Sequence, residues 1–127
     1  HLSERDGWGF TTLECGKNLL SLLDDPQVDP SGAFLVDSVT ALLSNEMFDE
    51  RGGFDPGAAK RIREDLTEFA AKTGSTVFVS DYIYSDACEY SETVEAYRQG
   101  LAAADRALAS VCERVIEISG GMEEIWK

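Results

Sequence analysis

The stretch from Ala33 to Glu46 restricts the fold of this chain more than any other. Ala33-Phe-Leu-Val36 is a short apolar run, Asp37 stops it, and a hydroxyl-rich turn and a second apolar patch follow. This pattern is typical of a buried strand that delivers a carboxylate to the edge of a sheet. Ligands of open α/β sheets bind at the carboxyl ends of strands, so Asp37 is a candidate site residue. Alternatively, Asp37 only caps a following helix, a position that Asp favours.

Stretches typical of strands and of helices alternate along the chain. The predicted strands are 10–13, 33–36, 76–80, 114–119 and 122–127, and the predicted helices are 18–23, 58–72 and 91–110. In the helix at 58–72, which Asp55 is expected to cap, the charged residues from Lys60 to Glu68 are predicted to form the solvated face. Asp81 follows the strand at 76–80 as Asp37 follows the earlier one. Helices between strands favour an α/β fold with a mainly parallel sheet.

Composition limits the classes of function. The 127 residues suit one domain, 1–127, and their net charge of −13 argues against a non-specific nucleic-acid binder and against an anionic membrane surface. A nucleotide remains an acceptable ligand, because a few local donors can hold a phosphate. No apolar run has the length of a membrane span, and no signal peptide is recognisable.

The cysteines and the Gly16-Lys17 pair give weaker signals. The chain has an odd number of cysteines, Cys15, Cys88 and Cys112, and none of them form a C-x-x-C pair. We therefore expect neither a disulfide framework nor a zinc site. We also expect the protein to reside in a reducing compartment. Gly16-Lys17 fails as a phosphate loop, because Thr11 and Asn18 occupy positions that require Gly and Ser or Thr.

Several stretches, taken together and in order, match one family pattern over essentially the whole chain. They are His1, Arg5, Phe10, Thr12 and Glu14, then Leu35–Thr40, then Leu42–Phe48, then Val77–Ile83, and finally the layout of 97–127 with its terminal Lys. In this order they resemble the cobalamin-biosynthesis family that is both adenosylcobinamide kinase and adenosylcobinamide-phosphate guanylyltransferase.

The resemblance implies a fold, an activity and a set of residues. The fold is a P-loop, RecA-like three-layer α/β sandwich, and the enzyme is a cytoplasmic transferase and a homo-oligomer, a trimer in the family. It phosphorylates adenosylcobinamide and then transfers GMP from GTP through a guanylyl-histidine, with GTP or ATP as substrate and Mg²⁺ present. The matching histidine is His1. The nucleotide contacts carried over by position are Leu2, Ser3, Glu4, Arg5, Glu14 and Asp37, and no metal ligand is assigned.

The same comparison shows departures that keep alternatives open. In the family the phosphate loop, with its strand and helix, precedes the histidine, so we expect such a segment upstream of His1 in the gene product. Its absence would uncover sheet and apolar surface, which favours self-association. Asp81-Tyr82, Asp105-Arg106 and Gly120-Gly121-Met122 replace the family's Asn-Glu, Asn-Gln and Gly-Ile-Pro. The alternatives are a non-catalytic nucleotide-binding or assembly module of this fold and a P-loop relative acting on another substrate.

Overall fold

The structure, a computed structural model, describes residues 13, 15–81 and 91–127. In chain order the elements are a 3₁₀ helix Leu19–Asp24, β1 Ala33–Asp37, α1 Val39–Met47, α2 Ala58–Lys72, β2 Ser75–Val79, α3 Glu92–Val111, β3 Ile116–Ser119 and β4 Met122–Ile125. Of the strand predicted at 10–13, only Leu13 is described, and it is not in a strand. The predicted segments at 33–36, 58–72, 76–80 and 91–110 agree with these elements to within one residue at each end.

The strands β1 and β2 form a parallel pair, in which Ala33 lies opposite Ser75 and Asp37 lies opposite Val79. The helices α1 and α2 lie between the two strands in the chain. Parallel strands need such a crossover connection, so the described residues confirm an α/β arrangement.

Helices cover one face of this parallel pair. The ring of Phe69 in α2 meets Phe34 of β1 at 5.4 Å and Phe78 of β2 at 6.3 Å. The buried core residues are Leu19, Val36, Val39, Leu42, Leu43, Met47, Ala58, Ile62, Leu66, Phe69, Leu101, Ala104 and Leu108. On the other face, Leu35, Val77 and Val79 are 45%, 60% and 38% exposed. The described part of the chain thus forms two layers, the parallel pair and the helices that cover one of its faces.

The helix α1 stands where the sequence predicted only a turn and an apolar patch. The Oγ atom of Ser38 accepts a hydrogen bond from the Ala41 amide at 3.1 Å and so caps the helix. Val39, Leu42, Leu43 and Met47 are buried at helical spacing. The helix is short and begins with the β-branched pair Val39-Thr40, which favours strands, so its periodicity was hard to see.

The predicted cap of α2 is wrong. Gly57 is the residue that precedes the helix, and it makes no side-chain capping bond. Asp55 lies two residues further back, where its Oδ1 accepts from the Gly57 amide at 2.9 Å and its carbonyl accepts from the Ala58 amide at 3.2 Å. Asp55 therefore closes a turn that leads into the helix.

The last two strands form an antiparallel hairpin, with Ile116 opposite Ile125 and Ser119 opposite Met122. Gly120 and Gly121 have positive φ angles of 59° and 77°, the conformation that a tight hairpin turn requires. Among the described residues β3 pairs with β4 and not with the parallel strands, because this turn gives it a local partner. The Nζ atom of Lys127 donates to the Ala109 and Ser110 carbonyls at 2.9 and 3.3 Å, at the end of α3.

Candidate functional site

The carboxyl edge of the parallel pair carries two acids. Asp37 is the last residue of β1 and is exposed, and Asp81 follows β2 by two residues. Because carboxyl ends of parallel strands meet at one edge, the two acids belong to the same side of the molecule. The structure thus places Asp37 at the kind of position that the sequence predicted for it.

Asp37 does not cap the helix that follows, because Ser38 has that role. Within 13, 15–81 and 91–127, the Asp37 carboxylate has no hydrogen-bond or ion-pair partner. Both of its oxygens can therefore accept hydrogen bonds from a ligand.

A cleft of about 500 Å³ opens beside β1. Asp37 and Ser38 line it at the sheet edge, and Leu13, Cys15 and Asn45 also line it. Leu13 and Cys15 are the chain neighbours of Glu14. The chain on both sides of Glu14 therefore borders the cleft that Asp37 borders.

Thr40 joins three elements at the sheet edge. Its Oγ1 accepts a hydrogen bond from the Asp81 amide at 2.8 Å, and its carbonyl accepts one from the Tyr97 hydroxyl at 3.0 Å. Burial, and secondarily the negative charge of Asp81, raise the pKa of Tyr97 above its ordinary value, so the phenol remains a donor at neutral pH. These bonds fix the end of β2 and the helix α3 to the first turn of α1.

A second group of polar side chains lies at the other end of α1. It comprises Asn18, Glu46, Asp55 and Arg61, and we call it the Glu46 cluster. Glu46 Oε1 accepts from the Asn18 amide at 2.8 Å, and Oε2 accepts from Arg61 Nε at 3.2 Å and Nη2 at 2.7 Å. The same Nη2 reaches Asp55 Oδ2 at 3.1 Å. Arg61 is exposed, as the prediction of a solvated face of α2 requires, and its guanidinium is also engaged by two carboxylates.

The electrostatics of the Glu46 cluster favour its charged state. Burial alone would raise the pKa of the Glu46 carboxyl, but hydrogen bonds from Arg61 and Asn18, with the charges of Arg61 and Lys17, lower it overall. Hydrogen bonds to Glu46 and Asp55 raise the pKa of Arg61 further. At neutral pH the cluster is thus an ion pair with an added backbone donor.

Most of the residues predicted for the site lie outside the described residues. These are His1, Leu2, Ser3, Glu4, Arg5 and Glu14. Asp37 is the predicted site residue that is described, and it lines the cleft. Sequence reasoning missed Thr40 and Glu46, although both lie in stretches that carry the family resemblance. Their partners lie far away in the chain, so no local signal identified them.

The described part of the chain contains no group of three or more His, Cys, Asp or Glu side chains that could hold a metal ion. None of its helices combines the length and the apolar character that a membrane crossing requires.

Comparison with protein families agrees with the order of motifs in the sequence. The model of the family "Cobinamide kinase / cobinamide phosphate guanyltransferase" matches residues 1–124. The chain belongs to this family. A search of the curated proteins found no match. The family is one of transferases of cobalamin biosynthesis, with cobinamide compounds and nucleotides as substrates. The resemblance seen in the sequence is thereby confirmed.

Proposed function

We propose that this chain provides the guanine-nucleotide site of an enzyme that phosphorylates adenosylcobinamide and then transfers GMP from GTP to adenosylcobinamide phosphate. One observation carries the proposal. The carboxylate of Asp37, which bonds to none of the described residues, lies on a cleft of about 500 Å³ that the chain neighbours of Glu14 also line. A cleft of this volume is in the range of small-ligand sites, and its position beside a strand end is where α/β proteins bind nucleotides.

The recognition of guanine follows from its hydrogen-bonding edge. The base presents adjacent N–H donors, and a carboxylate with two free oxygens can accept from both. Asp37 or Glu14 fills this role, and Leu2, Ser3, Glu4 and Arg5 complete the contacts. The Arg5 guanidinium pairs with a phosphate group, which it can bind in a bidentate manner.

The transfer proceeds in two displacements through His1. A neutral imidazole nitrogen attacks the α-phosphorus of GTP, the bond from that phosphorus to the bridging oxygen breaks, and pyrophosphate leaves. A phosphate oxygen of adenosylcobinamide phosphate then attacks the same phosphorus, and the P–N bond breaks to regenerate the imidazole. Covalent catalysis of this kind divides one difficult transfer into two easier ones.

Mg²⁺ enters as part of the nucleotide substrate. Sites of this type hold the ion mainly through phosphate oxygens and water, with one or two carboxylates. We further propose that residues 1–127 form a single domain of P-loop, RecA-like type and that the enzyme acts in the cytoplasm. The parallel pair of β1 and β2, with helices between them, supports the fold.

Mass spectrometry of the full gene product after incubation with GTP tests the covalent step. We expect a GMP adduct on the His1 peptide, and we expect the variant His1→Ala to lose the adduct while it still binds GTP in calorimetry. An adduct that persists in His1→Ala, or no adduct on the wild type in the presence of Mg²⁺, would refute the role of His1.

A second candidate, a nucleotide-binding or assembly module without turnover, is favoured by Asp81. It stands where the family has Asn, and it adds a carboxylate to the edge that carries Asp37. Saturable GTP binding by the gene product without phosphoryl or guanylyl transfer would establish this candidate. Transfer to an acceptor other than cobinamide would establish a relative that acts on another substrate.

A further inference from the structure

Two consecutive side chains at the end of α1 hold the chain segment 15–18. Asn45 Nδ2 donates to the Gly16 carbonyl at 3.1 Å, and Glu46 Oε1 accepts from the Asn18 amide at 2.8 Å. Cys15 precedes the first anchor, and its thiol donates to the carbonyl of Lys17, which lies between the two anchors, at 3.0 Å. The segment is therefore attached at two points to one rigid helix.

The backbone of Asn18 makes the second anchor specific. Asn18 has a left-handed conformation with φ of 56°, which most side chains other than Gly avoid and which Asn tolerates. In this conformation its amide meets a charged acceptor whose side chain is only 11% exposed. A charge-assisted bond at a partly buried site is stronger than an ordinary surface bond.

The Glu46 carboxylate is itself held in place. Arg61 of α2 binds Oε2 through two nitrogens, and Asp55 orients the guanidinium from the other side. The rotamer of Glu46 is thus fixed by α2, and the position of Asn18 follows from it. Such support from a second layer of side chains is what keeps a binding site in one geometry.

The same helix joins this anchor to the sheet edge. Ser38 caps α1 directly after Asp37, and Asn45 and Glu46 lie in the last turn. Cys15, Asn45 and Asp37 all line the cleft of about 500 Å³. The length of α1 therefore sets the separation between Asp37 and the segment 15–18.

We infer that Asn45 and Glu46 are positioning residues, which fix the segment 15–18 relative to Asp37; we call this segment the wall, and it borders the nucleotide cleft at Cys15. This inference rests on the proposed function, because it assigns that wall to the GTP site. Neither residue needs to touch the nucleotide, since both act through the backbone of the wall.

The rate at which Cys15 is alkylated measures how firmly the wall is held, and this measurement does not depend on enzyme activity. In the full gene product treated with iodoacetamide, we expect Glu46→Gln to accelerate modification of Cys15 roughly tenfold, because a bond to a charged group is lost. Peptide mass spectrometry also follows Cys112, which is packed against the core far from the wall in sequence and provides the internal control. Its rate should not change.

A matched variant separates local from general effects of removing a charge. Glu64→Gln removes a carboxylate from α2 whose only ion pair with a described residue is that with Lys60 at 4.0 Å, and both side chains are well exposed. It should leave the Cys15 rate at the wild-type value. Asn45→Ala removes one hydrogen bond at an exposed position and should accelerate the alkylation of Cys15 roughly threefold. This variant takes the place of Glu46→Gln if Glu46→Gln fails to fold. An unchanged Cys15 rate in both wall variants, or an equal rise at Cys112, overturns the inference.

Steady-state kinetics connect the wall to the nucleotide. We expect Glu46→Gln to raise the KM for GTP roughly tenfold with kcat changed by less than about twofold, the result of lost uniform binding. A KM equal to that of wild type refutes the link to the GTP site. If the wild-type protein does not bind GTP, the proposed function fails, and the Cys15 rates alone decide whether Asn45 and Glu46 hold the wall.

Discussion

The stability of the fold depends on pH through the ionisation of Glu46. Hydrogen bonds from Arg61 and Asn18 outweigh burial and lower its pKa in the folded protein. A group with a lower pKa in the folded than in the unfolded state stabilises the fold above its unfolded pKa. That contribution disappears as the pH falls through the folded pKa, below the ordinary glutamate value of 4.5.

We therefore expect Glu46→Gln to destabilise the protein by about 1 kcal/mol at neutral pH, a modest value because Arg61 is half exposed. The difference in free energy of unfolding between the variant and the wild type should shrink as the pH falls below 4.5. Urea unfolding at a series of pH values measures it. Glu64→Gln should show a small difference at every pH. A Glu46→Gln difference that is constant with pH would contradict the pKa argument.

Asp37 offers a test of the nucleotide site itself. Its carboxylate is exposed and bonds to none of the described residues, so Asp37→Asn should leave the melting temperature unchanged. The amide presents a donor where guanine also presents donors, so we expect GTP affinity to fall roughly tenfold or more. Calorimetry measures the Kd. Asp24→Asn, which changes an exposed acid outside the cleft, is the control, and equal affinities of both variants would exclude Asp37 as a base contact.

The helices α2 and α3 approach closely at Gly100. A Cβ atom added there would lie 2.8 Å from the Cβ of Ala59 and 3.5 Å from Leu43 Cδ2. Gly has a low helix propensity, yet α3 is continuous through Gly100 from Glu92 to Val111. The absent side chain thus allows close helix packing.

Gly100→Ala should accordingly destabilise the protein, although Ala is the better helix former. The gain in helix propensity of about 1 kcal/mol is opposed by overpacking, which costs about 1–3 kcal/mol. Thermal and urea unfolding of Gly100→Ala, Ala59→Gly and the double variant measure the balance. Ala59→Gly should relieve the clash, so the double variant should show a favourable coupling energy. Additive effects would mean that the two residues do not compete for space.

Local sequence predicted the elements that have strong local signals. The helices α2 and α3 have apolar residues three and four apart, and Ser91 accepts from the Val94 amide at the start of α3. The helix α1 was missed because it is short and begins with β-branched residues. The strand β3 was predicted without a partner; the turn at Gly120-Gly121 pairs it with β4, because a local chain reversal competes well with a distant partner.

The same division applies to the candidate site: its local features could be predicted from the sequence, and its long-range contacts could not. Asp37 was identifiable because a strand that ends in an acid is a local pattern. The bonds of Thr40 with Asp81 and Tyr97, and those of Glu46 with Asn18 and Arg61, join segments that are distant in the chain. A single sequence shows which side chains could form such bonds, but not which pairs the fold brings together.

At the scale of the molecule, the described residues leave one face of the parallel pair uncovered. Leu35, Val77 and Val79 are well exposed on the side of β1 and β2 that faces away from α2. Parallel sheets are normally covered on both faces. This face supports the proposal that the protein self-associates, as a trimer if it follows its family.

We expect light scattering to give a mass above that of the monomer. Val77→Glu, which places a charge on the exposed face, should lower that mass, because a buried carboxylate without a partner opposes association. Val111→Glu, an exposed position at the end of α3, is the control and should leave the mass unchanged. A monodisperse wild-type monomer would refute self-association.

The long connection between β1 and β2 has a consequence for the order in which the chain folds. Residues 38–74 separate the two strands, whereas β3 and β4 meet across a glycine turn. Closing a long loop costs more entropy and takes longer than forming a hairpin. Of the described strand pairs, β1 and β2 lie further apart in the chain than β3 and β4. The edge that carries Asp37 and Asp81 therefore forms only when β1 and β2 pair. A nucleotide bound at that edge should slow unfolding while it leaves the rate of folding nearly unchanged.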